Sequence, residues 1–258
     1  MPHPFARTEI LIGPAGIAKL RGQHVLVVGL GGVGSYVAEA LARAGIGRLT
    51  LLDHDVVAPP NINRQLVALH STIGKPKTAV MAARLLDINP KLALRLHSEF
   101  LQADEAEALV QGNGYDYVAD CIDSIACKAA LVAACSRTGI PVISALGAGN
   151  CLDVTRVRLA RLDKTQGCPL ARELRARLRT LGISLKYPVI YSDEPRRQPL
   201  PHQPVGGAIP GRSRAVNGII SYMPPLFAMM LTGVIIRQLL AEVLSESSYQ
   251  PVLREPEP

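Results

Sequence analysis

The sequence of 258 residues is 48% hydrophobic and carries a formal net charge of +7. A chain of this length can form one large domain or two small ones, and its apolar content is enough for a packed core, which excludes a largely disordered protein. The excess of positive charge favours a polyanionic partner, with RNA the first candidate, although basic enzymes that bind no nucleic acid show the same balance.

The first 150 residues alternate strand and helix patterns, as in a parallel sheet with crossover helices. The predicted strands cover residues 24–29, 48–53, 92–96, 115–121 and 141–144. The predicted helices cover residues 35–44, 77–88, 105–111 and 127–138. Glycines follow the first of these helices, where the chain can turn left-handed. This part is therefore predicted to be Rossmann-like.

The rest of the chain shows a different pattern. Residues 153–162 alternate polar and apolar side chains, which predicts an antiparallel strand with one solvated face. A leucine stripe over 170–181 predicts a helix, and residues 187–192 predict a short strand. Residues 193–217 are rich in proline and glycine, which indicates a long surface loop, functional or disordered. Without an independent linker, we expect an α/β fold whose largely parallel sheet is extended by antiparallel strands from the C-terminal part.

Arginines are concentrated in this C-terminal part and are candidates for contact with RNA phosphates. They are Arg158, Arg161, Arg172, Arg175, Arg177, Arg179, Arg212 and Arg214.

The cysteines and the apolar segments indicate a cytoplasmic protein. Its five cysteines include no CxxC pair, a spacing that indicates neither a structural zinc site nor a disulfide framework. The first ten residues lack the layout of a secretory signal. Residues 216–236 carry no charge, but Pro224 and Pro225 would interrupt a membrane span. A buried or dimer-facing helix is predicted there instead.

A glycine-rich turn at residues 29–34 (GLGGVG) follows a strand and opens a helix. Such a turn lets backbone N–H groups approach a phosphate at the positive end of the helix. Asp53 ends the next strand, 19 residues after Gly34, where a carboxylate can accept hydrogen bonds from ribose hydroxyls. The pattern specifies a nucleotide, but it fits a nicotinamide dehydrogenase equally well.

The next motifs favour AMP transfer over hydride transfer. They are DHD at residues 53–55, NINRQ at 61–65 and GKPK at 74–77. Hydride transfer needs no cluster of cations beside the ribose carboxylate. AMP transfer does, because charge builds on the α-phosphate and pyrophosphate as the bond breaks. Arg64 offers a bidentate fork and Lys77 a point charge. Asn61 adds a neutral donor.

One more carboxylate motif, DCIDS at residues 120–124, ends another strand. Strand C-termini in such sheets face the ligand crevice. A carboxylate of this motif can therefore hold Mg²⁺ against a polyphosphate. An alternative role for Ser124 is to cap the helix that follows.

These motifs together resemble those of the ubiquitin-activating-enzyme-like superfamily, which includes the adenylyltransferases of molybdopterin and thiamine sulfur carriers. Within it, the chain is most similar to the branch that dehydrates threonylcarbamoyladenosine in tRNA. Four segments carry that similarity, and the resemblance covers nearly the whole chain. They are FARTEILIG at 5–13, ALARAGIG at 40–47, LGAGNCLD at 146–153 and CPLARELR at 168–175.

The resemblance implies an enzyme that uses ATP and Mg²⁺ to activate a carboxylate by adenylation. Residues 1–150 would form its Rossmann-like ATP-binding part, and residues 151–258 the substrate-binding and dimerisation part of the same domain. It also implies tRNA as a partner, a homodimer, and a sulfur-relay protein as a further partner to test.

The resemblance assigns roles to individual residues. Arg64, Lys77 and Asp123 would be catalytic, with Asp123 the Mg²⁺ ligand. Arg7 matches an arginine that reaches into the partner subunit's ATP site, whereas on its own it would be a solvated residue at a frayed terminus. The candidate nucleotide-binding residues are Gly29, Gly31, Gly32, Gly34, Asp53, Asp55, Asn61, Asn63, Gln65 and Ser124.

Other functions remain open at this point. One is an adenylyltransferase that activates the C-terminal carboxylate of a small ubiquitin-like sulfur-carrier protein. Another is a non-catalytic nucleotide-binding or dehydrogenase module. Cys168 is a candidate nucleophile because it precedes a helix whose positive end would lower its pKa, and the alternative is a small residue near a loop.

Overall fold

The computed structural model describes residues 3–198, 200–203 and 214–246. The helices are α1 (Ala6–Gly22), α2 (Gly34–Ala44), α3 (Lys77–Ile88), α4 (Ala106–Val110), α5 (Ile125–Thr138), α6 (Pro169–Thr180), α7 (Met223–Leu239) and α8 (Ala241–Glu246). The strands are β1 (His24–Val28), β2 (Arg48–Leu52), β3 (Ala93–His97), β4 (Tyr117–Asp120), β5 (Val142–Ala145), β6 (Val157–Arg161), β7 (Pro188–Ser192), β8 (Leu200–Gln203) and β9 (Arg214–Val216).

In the described part of the chain, seven strands form one sheet in the order β3-β2-β1-β4-β5-β7-β6. The pairings are parallel except for β6, which runs antiparallel to β7. All five residues of β1 are buried, as expected of a strand covered by helices on both faces. The predicted α/β fold is confirmed: β7 and β6, from the C-terminal part, extend a Rossmann-like sheet.

Helix α7 buries its apolar face within its own chain. It packs against α2 and against the end of the sheet at β5 and β7. Phe227, Leu231 and Ile235 on this face have no exposed surface. The burial of this helix therefore does not require a dimer. Within the described residues, no helix combines the length and the hydropathy that a membrane span requires.

Three segments differ from the sequence-based expectations. The loop expected over 193–217 instead contains β8 and β9, which pair antiparallel, while residues 199 and 204–213 of that loop lie outside the described residues. The strand expected over 153–162 begins only at Val157, because a 3-10 turn capped by Asp153 precedes it. Helix α1 follows no predicted pattern and is kinked at Gly13, where φ is 69°.

Candidate active site

Asp53 connects the end of β2 to the glycine-rich turn. Its side chain is buried and accepts hydrogen bonds from the backbone N–H groups of Leu30, at 2.6 Å, and Asp55, at 2.8 Å. The turn itself requires glycine, since a Cβ at Gly34 would lie 1.7 Å from the Gly29 carbonyl oxygen. A carboxylate has about four lone-pair sites, so Asp53 retains acceptor capacity for a ribose hydroxyl.

Lys77 is brought to the same region by the start of α3. Its backbone N–H donates to the Asp55 carbonyl at 3.0 Å, and its Nζ lies 2.7 Å from Asp55 Oδ2. The Lys77 side chain is only 4% exposed, whereas that of Asp55 is 50% exposed. The motif residues DHD and GKPK are therefore joined in space, as the sequence predicted, with one lysine held in a fixed position.

The NINRQ segment packs against the glycine-rich turn. A Cβ at Gly32 would lie 3.4 Å from the Arg64 carbonyl oxygen. The Arg64 guanidinium donates to the Pro60 carbonyl at 2.6 Å and to Asn63 Oδ1 at 2.9 Å, and burial lowers its pKa from the ordinary arginine value. Asn61 Oδ1 accepts the Ala58 N–H, which stabilises the start of the segment.

Gln65 has unsatisfied hydrogen-bonding capacity beside the turn. It is 8% exposed, and its Nε2 would lie 3.8 Å from a Cβ at Gly31. Its Oε1 is buried and accepts no hydrogen bond from the described residues. Buried polar atoms are normally paired, so an unpaired acceptor at this point is suited to a donor on the nucleotide.

Asp120, the first residue of the DCIDS motif, faces the interior. Its Oδ2 accepts from Lys128 Nζ at 2.8 Å and from Ser144 Oγ at 2.5 Å, and Lys128 also donates to the Ala145 carbonyl at 3.0 Å. Sequence reasoning missed Lys128. The available signal was one lysine in the otherwise apolar stretch IACKAALVAAC, which spans residues 125–135.

Asp123 and Ser124 lie in the segment that leaves the end of β4 after Asp120. The Asp123 side chain is exposed. It lies at the same edge of the sheet as the glycine-rich turn, because a Cβ at Gly29 would lie only 2.8 Å from the carbonyl oxygen of Cys121. Ser124 stands in the N-cap position of α5, yet its side chain makes no capping hydrogen bond. The carboxylate of Asp123 is accessible to a bound cation.

Arg7 is not part of the site in its own chain. The ring of Phe5 lies 3.5 Å from the position of a Cβ at Gly45, which is the C-terminal end of α2. Since α2 has 11 residues, its axis is about 16 Å long. The glycine-rich turn is at the other end of this helix, so Arg7 lies at the end of α2 opposite the nucleotide residues.

Cys168 is buried, with 4% of its surface exposed. It precedes α6 and lies 3.7 Å from Nη2 of Arg196. A covalent role needs access for the substrate, so the structure gives no support to Cys168 as a nucleophile.

A model of the ThiF family matches residues 5–254, nearly the whole chain. The chain belongs to the ThiF family. The tRNA threonylcarbamoyladenosine dehydratase of Bacillus subtilis is 44% identical over 194 residues, which cover 75% of this chain and 76% of that protein. The crystal structure of the Escherichia coli tRNA N6-threonylcarbamoyladenosine dehydratase in complex with ATP is 33% identical, with a TM-score of 0.81, and covers 95% of this chain and 96% of that one.

A second kind of relative matches less of the chain. The molybdopterin-synthase adenylyltransferase of Escherichia coli is 38% identical over 129 residues, which cover 50% of this chain and 51% of that protein. The resemblance read from the sequence, to the superfamily and to its tRNA-dehydratase branch, is thus confirmed for this member of the ThiF family. The roles of its individual site residues stay predictions.

The substitution Lys77→Ala is expected to lower ATP-dependent turnover by about 10²–10³-fold, the scale for losing one charge-stabilising donor in a transition state. Arg64→Ala is expected to behave alike. Lys75→Ala is the matched control, because Lys75 is an exposed lysine of the same motif, and its turnover should stay within about twofold of wild type. Thermal unfolding checks that each variant is folded. Near-normal turnover in Lys77→Ala, or an equal loss in Lys75→Ala, would contradict the assignment.

Proposed function

We propose that this chain catalyses the ATP-dependent dehydration of threonylcarbamoyladenosine in tRNA through an acyl-adenylate. The observation that carries the proposal is the extent of the match. The sequence of the Bacillus subtilis dehydratase matches 75% of the chain, whereas that of the sulfur-carrier-type relative matches 50% of it.

The reaction would proceed in two steps. The carboxylate of the threonylcarbamoyl group attacks the α-phosphate of ATP and releases pyrophosphate. A carbamoyl atom of the same group then attacks the activated carbonyl, closes a ring and expels AMP, which retains one carboxylate oxygen. The net change in the nucleoside is the loss of one water. Ring closure needs little acid–base assistance from the protein, since AMP is a good leaving group and the step is intramolecular.

In this scheme the residues of the chain bind ATP and orient its phosphates for attack. Asp53 would accept the ribose hydroxyls, while Arg64 and Lys77 would stabilise the charge that grows on the phosphates. Lys77 is already held by Asp55 at 2.7 Å, so its charge needs no reorganisation when the transition state forms. That preorganisation is the physical source of the proposed rate enhancement.

A magnesium ion would fit beside these residues. The exposed Asp123 carboxylate is the hard oxygen ligand that Mg²⁺ prefers, and the Asp53, His54 and Asp55 side chains offer ligand atoms within 4.8 Å of one another. When bound, Mg²⁺ would neutralise part of the charge on the pyrophosphate. We further propose that residues 151–258 supply the substrate-binding surface and, together with helix α1, the dimerisation surface, and that the protein is cytoplasmic.

Adenylation of a small sulfur-carrier protein is the second candidate, supported by the match to the molybdopterin-synthase adenylyltransferase. A nucleotide-binding module without catalysis, or a dehydrogenase, is the third. ATP–pyrophosphate exchange separates the third from the other two. Dependence of that exchange on tRNA or on a carrier protein separates the first two, and the same assay with a sulfur-relay protein added tests for that partner.

The direct test is mass analysis of nucleosides after tRNA carrying threonylcarbamoyladenosine is incubated with the enzyme, ATP and Mg²⁺. We expect a nucleoside lighter than the starting one by a single water, formed only when ATP is present and absent with Lys77→Ala. Unchanged nucleoside, together with exchange that needs a carrier protein, would replace the proposal with the second candidate.

The surface proposed for tRNA contact is narrower than the arginine count suggests. Arg158 and Arg161 pair with Asp193 and Asp163. On α6, Arg177 lies 3.6 Å from Glu173 and Arg175 donates to the Thr165 carbonyl at 3.1 Å. Among the described residues, Arg172 and Arg179 are exposed and have no side-chain partner. Arg212 and the side chain of Arg214 lie outside the described residues.

Reversal of both charges in Arg172→Glu/Arg179→Glu is expected to weaken tRNA affinity and to reduce the slope of log affinity against log salt by about two, since each phosphate contact contributes about one. ATP affinity should be unchanged. The matched control is Arg161→Glu, whose arginine is neutralised within the chain. An unchanged salt slope in the double variant would mean that this helix face is merely solvated.

The N-terminal segment supports a homodimer with shared sites. Before the kink at Gly13, α1 exposes 76% of Ile10 and 81% of Leu11. Two large apolar side chains so exposed, on the same short helix as Arg7, favour docking of this segment on a second copy. In a two-fold dimer each copy would then place its Arg7 near the other's Lys77.

Mixing of two inactive variants tests this arrangement. Arg7→Ala and Lys77→Ala should each be nearly inactive, and after subunit exchange the mixture should recover about a quarter of wild-type activity, because half the dimers are heterodimers with one intact site of two. A tagged pull-down verifies exchange. Heterodimers that form and stay inactive would place Arg7 outside the partner's site, and a monomer in sedimentation would remove the dimer.

A further inference from the structure

A cavity of about 390 Å³ lies next to the candidate active site. Its volume falls in the range of small-molecule sites, roughly 300–1,000 Å³. Three segments that are distant in sequence form it: the LGAGNCLD loop, the chain after β7 and the chain before α7. Its walls include Asn150, Leu152, Arg197, Leu200, Asn217 and Ile220.

The cavity is joined to the phosphate-binding residues through Asn63. Its Nδ2 donates to the carbonyl of Ile219, in the cavity wall, at 2.9 Å. Its Oδ1 accepts from the Arg64 guanidinium at 2.9 Å. The Asn63 side chain therefore links the cavity wall at Ile219 to the guanidinium of Arg64. A group in the cavity would be adjacent to the ATP phosphates.

The wall is held together by Asn150. Its φ of 59° is unusual for a residue other than glycine. Its backbone N–H and its Oδ1 both bond to Gly218, each at 2.8 Å, and its Nδ2 donates to Asn217 Oδ1 at 2.8 Å. Its carbonyl accepts the Arg197 N–H at 3.2 Å. With these hydrogen bonds Asn150, a residue type that adopts the left-handed conformation readily, joins all three segments.

Two charged side chains near the cavity, those of Arg196 and Glu194, form hydrogen bonds with the LGAGNCLD loop. Arg196 donates to the Gly149 carbonyl at 2.5 Å and also contacts Cys151 Sγ. The Glu194 carboxylate accepts the N–H groups of Leu152, at 2.9 Å, and Asp153, at 2.8 Å. These two side chains hold the loop, and their charged groups are hydrogen-bonded to the backbone and the thiol they contact.

Arg197 is different. Its side chain is exposed, lines the cavity, and makes no hydrogen bond or ion pair within the described ranges. The cavity therefore combines apolar walls, from residues such as Leu152 and Ile220, with one guanidinium that has no counter-charge among the described residues. That combination fits a flat, largely apolar group that carries a carboxylate, because a guanidinium binds carboxylates in a bidentate manner.

We propose that this cavity receives the modified adenine, unstacked from the tRNA, and that Arg197 binds the carboxylate of its threonylcarbamoyl group. This inference rests on the proposed function. A base on which an enzyme acts must leave its stack to reach a pocket. Held by Arg197, the carboxylate is oriented toward the phosphates that Arg64 and Lys77 bind, so Arg197 selects the modified tRNA over the unmodified one.

The test compares affinities for two tRNAs that differ only in the threonylcarbamoyl group. Arg197→Gln is expected to weaken binding of the modified tRNA about ten- to a hundredfold, the scale of a lost charge-assisted hydrogen-bond pair, with binding of unmodified tRNA and of ATP unchanged. Arg197→Lys should retain part of the preference. Ile220→Asp, which introduces a like charge beside the carboxylate, should lower affinity for the modified tRNA selectively. Arg172→Gln is the matched control and should weaken binding of both tRNAs equally.

The outcomes separate this inference from the proposed function. If wild type converts the modified tRNA and Arg197→Gln keeps the full preference, the assignment of Arg197 is wrong and the function stands. If Arg197→Gln weakens both tRNAs equally, Arg197 contacts phosphate and the cavity assignment is wrong. If wild type converts no modified tRNA, the proposed function itself fails.

Discussion

The ion pair between Lys128 and Asp120 is the interaction on which the site depends, although neither residue is placed to touch a substrate. Both side chains are fully buried, with 2.8 Å between Nζ and Oδ2. Breaking such a pair by removing one partner costs about 3–5 kcal/mol, because an uncompensated charge stays buried. The pair fixes the C-terminal ends of β4 and β5 relative to each other. The two loops that leave those ends carry Asp123 and Asn150.

The phosphate side and the proposed substrate side of the site are built in different ways. On the phosphate side, the Asp53 carboxylate accepts the Leu30 N–H and holds the turn, and the Asp55 carboxylate accepts from Lys77 Nζ. On the substrate side, Asn150 joins loops that are far apart in the sequence. Asn63 connects the two sides. The position of a substrate carboxylate relative to the phosphates is thus set by a few amide side chains.

The phosphate side was accessible from the sequence, and the substrate side was not. Asp53 lies 19 residues after the end of the glycine-rich turn and Lys77 lies 24 residues after Asp53, each next to a strand or helix signal, so local pattern predicted that they meet. The role of Asn150 depends on hydrogen bonds to residues 217 and 218, far along the chain, for which a single sequence carries no periodic signal. Lys128 lies only eight residues from its partner Asp120, and a lone lysine in an apolar helix was the signal that could have found it. Strands β8 and β9 form a local pair within a segment whose proline and glycine content indicated a loop. Burial of α7 was predicted, but whether α2 or a second subunit would cover it depended on the tertiary arrangement.

The net charge of +7 is the excess of basic over acidic side chains, and some of the basic side chains form ion pairs within the chain. In the C-terminal part, Asp193 alone lies within ion-pair distance of both Arg156 and Arg158, and Asp163 binds Arg161. These ion pairs leave the net charge unchanged, and within the described residues of that part Lys164, Arg172, Arg179, Lys186, Arg197 and Arg237 have no ion-pair partner. Contacts of such cations with phosphates give non-specific affinity and carry no sequence information. Selection of one nucleoside in a tRNA must then come from a shaped site that reads the modification itself, and that is the role we propose for the cavity lined by Arg197.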